Sequence, residues 1–105
     1  MNRVKPLLLA FLFMVPFLFS CESGTDVVES GTYQGTVDKV VPEKEEIYVK
    51  TDDNKRLELY FNDNTTLTRN GETVAFDQLR EGGNVEVQVE KVGQRLEPRA
   101  VRILD

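Results

Sequence analysis

Beyond residue 31, apolar and polar residues alternate with a period of two. Leu57, Leu59 and Phe61 alternate with Glu58, Tyr60 and Asn62. Val85, Val87 and Val89 alternate with Glu86, Gln88 and Glu90, and Ile47 and Val49 flank Tyr48. This is the pattern of antiparallel strands with one apolar face and one wet face. The punctuation between the runs agrees. Asp52-Asp53-Asn54-Lys55 joins the second and third strands. Asn70-Gly71 is a hairpin signal, because both residues tolerate positive φ. Gly82-Gly83-Asn84 opens the fourth strand, and Gly93-Gln94 turns it into the fifth. The first strand covers Thr32 to Val41 with Tyr33 and Val37 inward, and Gly35 in its middle marks a bend where the strand pairs on both sides. The fifth, Arg95 to Leu104, loses strict alternation around Ala100-Val101, which predicts a bulge, and Pro98 predicts a side that is locally unpaired. Only Phe76 to Glu81, stopped by Gly82-Gly83, has helical spacing, for about one turn. Three strands, a helical turn and two strands predict an all-β fold: a small five-stranded OB-like Greek-key barrel with one short helical turn between strands 3 and 4. About 16 inward apolar side chains just fill such a barrel, so its stability should be modest.

The first twenty residues follow a different rule. Leu7 to Phe19 is an uncharged, apolar run behind Arg3 and Lys5. A membrane-crossing helix needs about 20 apolar residues, so this run has the length of a signal-peptide core instead. It ends in Leu18-Phe19-Ser20-Cys21, a tetrad that resembles a bacterial lipobox. The resemblance implies cleavage before Cys21 and a covalent lipid on its thiol. The membrane is then a partner through the lipid anchor, and two or more acyl chains hold it stably. The predicted organisation is a leader over 1–20, a flexible tether over 21–31 and a barrel over 32–105. Glu22 and Asp26 in the tether loosely resemble the acidic signals that carry Bacteroidetes-type lipoproteins to the surface. The expected location is the cell envelope, lipid-anchored at the outer membrane and facing the periplasm or the cell surface.

Composition then removes function classes. There is no His, no Trp and one Cys, so a His-based triad, a His-ligated metal and an internal disulfide are excluded. Loss of Arg3 and Lys5 with the leader leaves 11 basic against 18 acidic residues, a net charge of −7. A surface of that sign repels phosphate backbones, so nucleic acid is not expected as a partner. Glu43, Glu45 and Glu46 read as a solvated charge run, and a barrel filled by its own side chains leaves no pocket. Enzymatic activity is therefore not expected, with no catalytic residues. Asp52-Asp53-Asn54 and Asn62-Asp63-Asn64 are oxygen-rich loops at opposite ends of the third strand. They are an alternative site for weak calcium binding, but Asp and Asn also build turns for backbone reasons, and no metal or other cofactor is assigned. Glu86, Glu90 and Glu97 should pair with Arg95, Arg99 and Arg102 on the wet face of the last two strands.

Several segments resemble a family of uncharacterised exported bacterial domains with OB-like small barrels. They are Gly35-Thr36-Val37-Asp38-Lys39-Val40, Thr65-Thr66-Leu67, Asp77-Gln78-Leu79 with Gly82-Gly83-Asn84-Val85-Glu86-Val87, and Arg99-Ala100-Val101-Arg102-Ile103. The resemblance implies a fold and no chemistry. The plan also resembles the small periplasmic copper and silver chaperones of metal efflux systems, which hold a soft metal with His, Met and a Trp lid. Here Met1 and Met14 fall in the leader and the other two residue types are missing, so only the fold analogy carries over. What remains is a surface. Alternation points Tyr48 and Tyr60 outward on strands 2 and 3, ringed by Lys50, Glu58 and Asn62. OB-like barrels bind on this face and its flanking loops. Exposed tyrosines beside polar groups suit an envelope protein, with an envelope glycan or small ligand as the alternative. No feature fixes an oligomeric state.

Overall fold

The computed structural model describes residues 24–105; the leader and Cys21 lie outside them. Seven strands form one sheet: β1 (Gly31–Val41), β2 (Glu46–Thr51), β3 (Arg56–Tyr60), β4 (Thr66–Arg69), β5 (Glu72–Thr73), β6 (Asn84–Val92) and β7 (Arg95–Ile103). Their order across the sheet is β3-β2-β1-β6-β7-β4-β5. All neighbours are antiparallel except β4 and β7, which run parallel.

Five strands were expected and seven are found; the two added strands, β4 and β5, are the arms of the Asn70-Gly71 hairpin and lie beyond the Asn62-Asp63-Asn64 loop expected to end the third. The third strand, β3, pairs with β2; the chain then turns through Phe61–Thr65, and β4 pairs with β7. That turn carries the chain from one end of the sheet towards the other, which brings the barrel to closure. The seventh strand, β5, is the short return arm of the Asn70-Gly71 hairpin. Both turn residues adopt positive φ, 54° and 82°. The helical segment is shorter than expected, a 3-10 turn at Phe76–Gln78 followed by the buried Leu79.

β1 is the strand shared by both halves. Gly31–Thr36 pairs with β6, and Gly35–Val41 pairs with β2. The overlap falls on Gly35 and Thr36; the partners of Gly35 are Thr51 on one side and Val85 on the other. A Cβ there would stand 2.2 Å from the Lys50 carbonyl oxygen, which is why the strand carries a glycine at its bend. The bulge in β7 sits one residue before its expected place. Gln88 faces Ala100 and Val89 faces Pro98, so Arg99 is the extra residue. The proline supplies no N–H where the ladder is already broken. A second bulge in β1, at Asp38, was not legible from the pattern.

Inside lie Val37, Ile47, Val49, Leu57, Leu59, Leu67, Leu79, Val85, Val87, Val89, Leu96, Val101 and Ile103. Tyr33 packs on them half-buried, its hydroxyl donating to the Glu29 carbonyl at 2.6 Å. Phe61 and Phe76, the last aromatics before and after the hairpin, meet edge to face at 5.0 Å between centroids. On the outside, Arg102 pairs with Glu86 at 2.8 Å, Arg95 with Glu97 at 2.7 Å, and Arg99 with Glu90, as alternation predicted. Such exposed pairs contribute about 0–1 kcal/mol each and mainly set strand register and solubility.

Candidate functional site

The outer face of β2 and β3 is built by the ladder that joins them. Cross-strand partners are Glu46 with Tyr60, Tyr48 with Glu58, and Lys50 with Arg56. Because side chains of one parity share a face, these six stand together outside while Ile47, Val49, Leu57 and Leu59 are wholly buried beneath. Both tyrosine hydroxyls donate to the same oxygen, Glu58 Oε2, Tyr48 at 3.2 Å and Tyr60 at 2.9 Å. Tyr48 is half-buried. The Arg56 guanidinium lies over its ring at 4.3 Å from the centroid, with Lys39 Nζ at 5.9 Å, a cation–π pairing on each count. Arg56 Nε in turn donates to Asp38 at 3.1 Å, and Asp38 is the residue pushed out by the β1 bulge. Tyr60 is 48% exposed and is the most accessible aromatic of the set.

Glu46 departs from the sequence reading. Glu43 and Glu45 are solvated, but Glu46 opens β2 and is only 2% exposed, with Oε2 lacking any hydrogen-bond partner. Burial pushes its pKa up. The polar groups of Glu58, Tyr48 and Tyr60 beside it, with the Lys44 ammonium nearby, outweigh that and hold it below the usual carboxylate range. The same contacts act in reverse on the phenols. The Glu46 carboxylate beside it, burial and the Glu58 charge push Tyr48 up to about 12. Hydrogen bonding to Glu58, with the Glu46 carboxylate nearby, raises Tyr60 further. The sign follows from linkage. Phenols with raised folded-state pKa values stabilise the fold fully below about pH 10, and that contribution is lost as pH climbs through the folded values. Glu46 contributes above its ordinary pKa and loses that contribution as pH falls through the depressed one. Replacing Glu58 by glutamine removes the shared anionic acceptor. Ultraviolet titration of the phenolate band should then show Tyr48 ionising closer to its ordinary value of 10.0 than in the parent.

Of the other predicted members of the patch, Lys50 shares the face at its far end and Asn62 lies outside it. Lys50 is exposed and faces Arg56, away from the Tyr60 end. Asn62 lies beyond β3 and is occupied in structure: its Oδ1 accepts from the Asn64 N–H at 2.8 Å, and its Nδ2 donates to Glu97 at 3.0 Å. The oxygen-rich loops are likewise engaged in turns. Asp53 accepts from the Thr51 hydroxyl, and Asn54 holds φ at 68°. Among the described residues no group of three or more His, Cys, Asp or Glu converges as metal ligands would.

The expectation that no pocket exists is corrected. A cleft of about 360 Å³ opens where β3 faces the first half of β7. Tyr60, Glu58 and Phe61 form one wall and Arg95, Leu96 and Glu97 the other, and Thr25–Val27 lies at its rim. It is a surface feature of the seam left because β4 covers β7 only from Ala100 onward. Nothing in the alternation pattern could have located it, since it depends on how the sheet closes.

The segment before β1 is bound to the barrel at two places, on β3 beside this seam and on β6. The Asp26 N–H donates to the Arg56 carbonyl at 2.7 Å, and the Asp26 carboxylate accepts from the Arg56 N–H at 3.0 Å. Ser30 Oγ accepts from the Lys91 N–H at 2.8 Å, and Glu29 pairs with the Lys91 ammonium at 3.2 Å.

The fold resembles that of CusF. A silver(I)-bound form of that Escherichia coli protein superposes with a TM-score of 0.58 at 12% identity, over 73% of this chain and 94% of CusF. The apo form gives a TM-score of 0.54 at 12% identity over 85% and 100% of the two chains. No protein-family model and no curated protein matches the sequence. The likeness to CusF establishes the small OB-like barrel. At this identity it says nothing of the ligand.

Proposed function

We propose that the protein is a lipid-anchored docking module of the bacterial envelope, which presents the β2–β3 face to another envelope protein. The observation that carries this reading is the convergence of Tyr48 and Tyr60 on one Glu58 oxygen. Two large aromatic side chains are held in fixed positions on a wet face, so little rotamer freedom is lost on association. Anchoring rests on the lipobox-like Leu18-Phe19-Ser20-Cys21. The silver(I) of the CusF structure is not carried over, because this face offers carboxylate and phenol oxygens where soft ions favour sulfur and imidazole. The seam cleft beside Tyr60 favours a second reading, a glycan or small ligand held between Tyr60 and Glu97.

Photo-crosslinking in the native membrane tests the docking reading. The probe replaces Tyr48 or Tyr60, with exposed Glu43 as the control. One protein captured at both tyrosine positions and missing at Glu43 is the expected result. Capture at all three positions, or at none, would refute it. In the latter case Tyr60→Ala should instead abolish retention on envelope polysaccharide.

A further inference from the structure

β3 ends the hydrogen-bonded order of the sheet, and its outer edge points into the seam. Its polarity follows from two flanking bonds. The Thr51 N–H donates to the Lys55 carbonyl and the Phe61 N–H donates to the Glu45 carbonyl, so odd-numbered residues of this stretch face β2. The backbone groups of Arg56, Glu58 and Tyr60 therefore face away from it. Those of Arg56 are taken by Asp26. No partner is found for those of Glu58 and Tyr60 among the described residues. The edge thus already pairs with polypeptide at its first position and stops at the point where the cleft begins.

We propose that the β3 edge at Glu58 and Tyr60 accepts an extended basic segment of the docked protein as an added strand, continuing from the position Asp26 occupies. The inference rests on the docking reading and specifies its chemistry. Residues of one parity in such a strand would turn inward beside Leu59, Phe61 and Leu96. Those of the other parity would stand outside beside Glu58. The cleft carries the carboxylates of Asp26, Glu58 and Glu97 against the single guanidinium of Arg95, which is already paired with Glu97 at 2.7 Å. Lysine or arginine outside and aliphatic residues inside is the complementary pattern.

The probe is a peptide of about ten residues alternating valine and lysine, long enough to span one strand. Its control is the same peptide N-methylated at every second residue, so that one edge donates nothing. Amide hydrogen exchange is followed by NMR in the full chain. In the free protein, the Glu58 and Tyr60 amides should exchange fast while those of Leu57 and Leu59 are protected. The probe should slow the first two by about tenfold or more, and the methylated control should not. Equal protection by the control would overturn the inference, as would protection of both amides before any peptide is added. A probe that shifts the tyrosine resonances without slowing either amide would refute the edge and leave the side-chain face standing. No binding up to about millimolar concentration would also refute it, with the crosslinking at Tyr48 and Tyr60 deciding the docking reading separately.

Discussion

Replacing Gly35 by alanine should destabilise the domain by about 3 kcal/mol or more, lowering its Tm by about 12–24 °C. The added methyl would lie 2.2 Å from the Lys50 carbonyl oxygen and 2.9 Å from the Thr51 Cα, both backbone atoms of β2. Neither can rotate aside as a side chain would. β1 cannot retreat either, because its other edge is bonded to β6 at Val85. Relief would require β2 to move, carrying Tyr48 and Glu46 with it, so the candidate face should be disturbed along with the core. Gly71→Ala separates this steric cause from the general cost of losing a glycine. Gly71 has open space around its Cβ position but a φ of +82°, and should cost about 1 kcal/mol. Chemical denaturation of the two variants distinguishes them. A Gly35→Ala midpoint no lower than that of Gly71→Ala would mean that the two strands can separate locally, and the account of β1 as the shared strand would fail.

The shared strand, the inward and outward faces of β2, β3 and β6, and the Asn70-Gly71 hairpin were legible because each depends on neighbours in sequence. Alternation assigns a face without knowledge of the partner strand, and Gly35 stood out because nothing in a regular strand calls for a glycine. Features that depend on closure were not legible. The third strand ends at its expected loop, but β4 beyond that loop is too short to show a period and is fixed by its pairing with β7. Glu46 looked like one of three solvated glutamates, and register with Tyr60 is what buries it. Arg56 and Asp38 join the face through a bulge that shifts β1 by one residue. The contact of Asp26 with Arg56 lies in a polar stretch with no periodicity at all. The site was therefore half visible. Tyr48, Tyr60 and Glu58 followed from alternation, whereas the buried carboxylate and the cleft required three-dimensional pairing.

Leu59→Ala and Tyr60→Phe should behave oppositely although the residues are adjacent. Leu59 is wholly buried between the outward Glu58 and Tyr60 and lies across from Ile47. Its truncation removes buried methyl groups and leaves a cavity that a small barrel has little means to fill. A loss of about 3 kcal/mol is expected, again on the order of 12–24 °C in Tm. Tyr60→Phe removes one hydroxyl from a side chain that is 48% exposed, and water replaces the bond to Glu58. Stability should change by less than about 0.5 kcal/mol. Crosslinking or binding through the face should respond in the other order, since the hydroxyl that meets Glu58 is gone and the barrel is intact. Thermal melts and capture yields of both variants, taken below the melting point of the weaker one, give the comparison. A Tyr60→Phe variant that melts as low as Leu59→Ala would show that the tyrosine–carboxylate cluster supports the fold itself, and the docking reading would lose the observation that carries it.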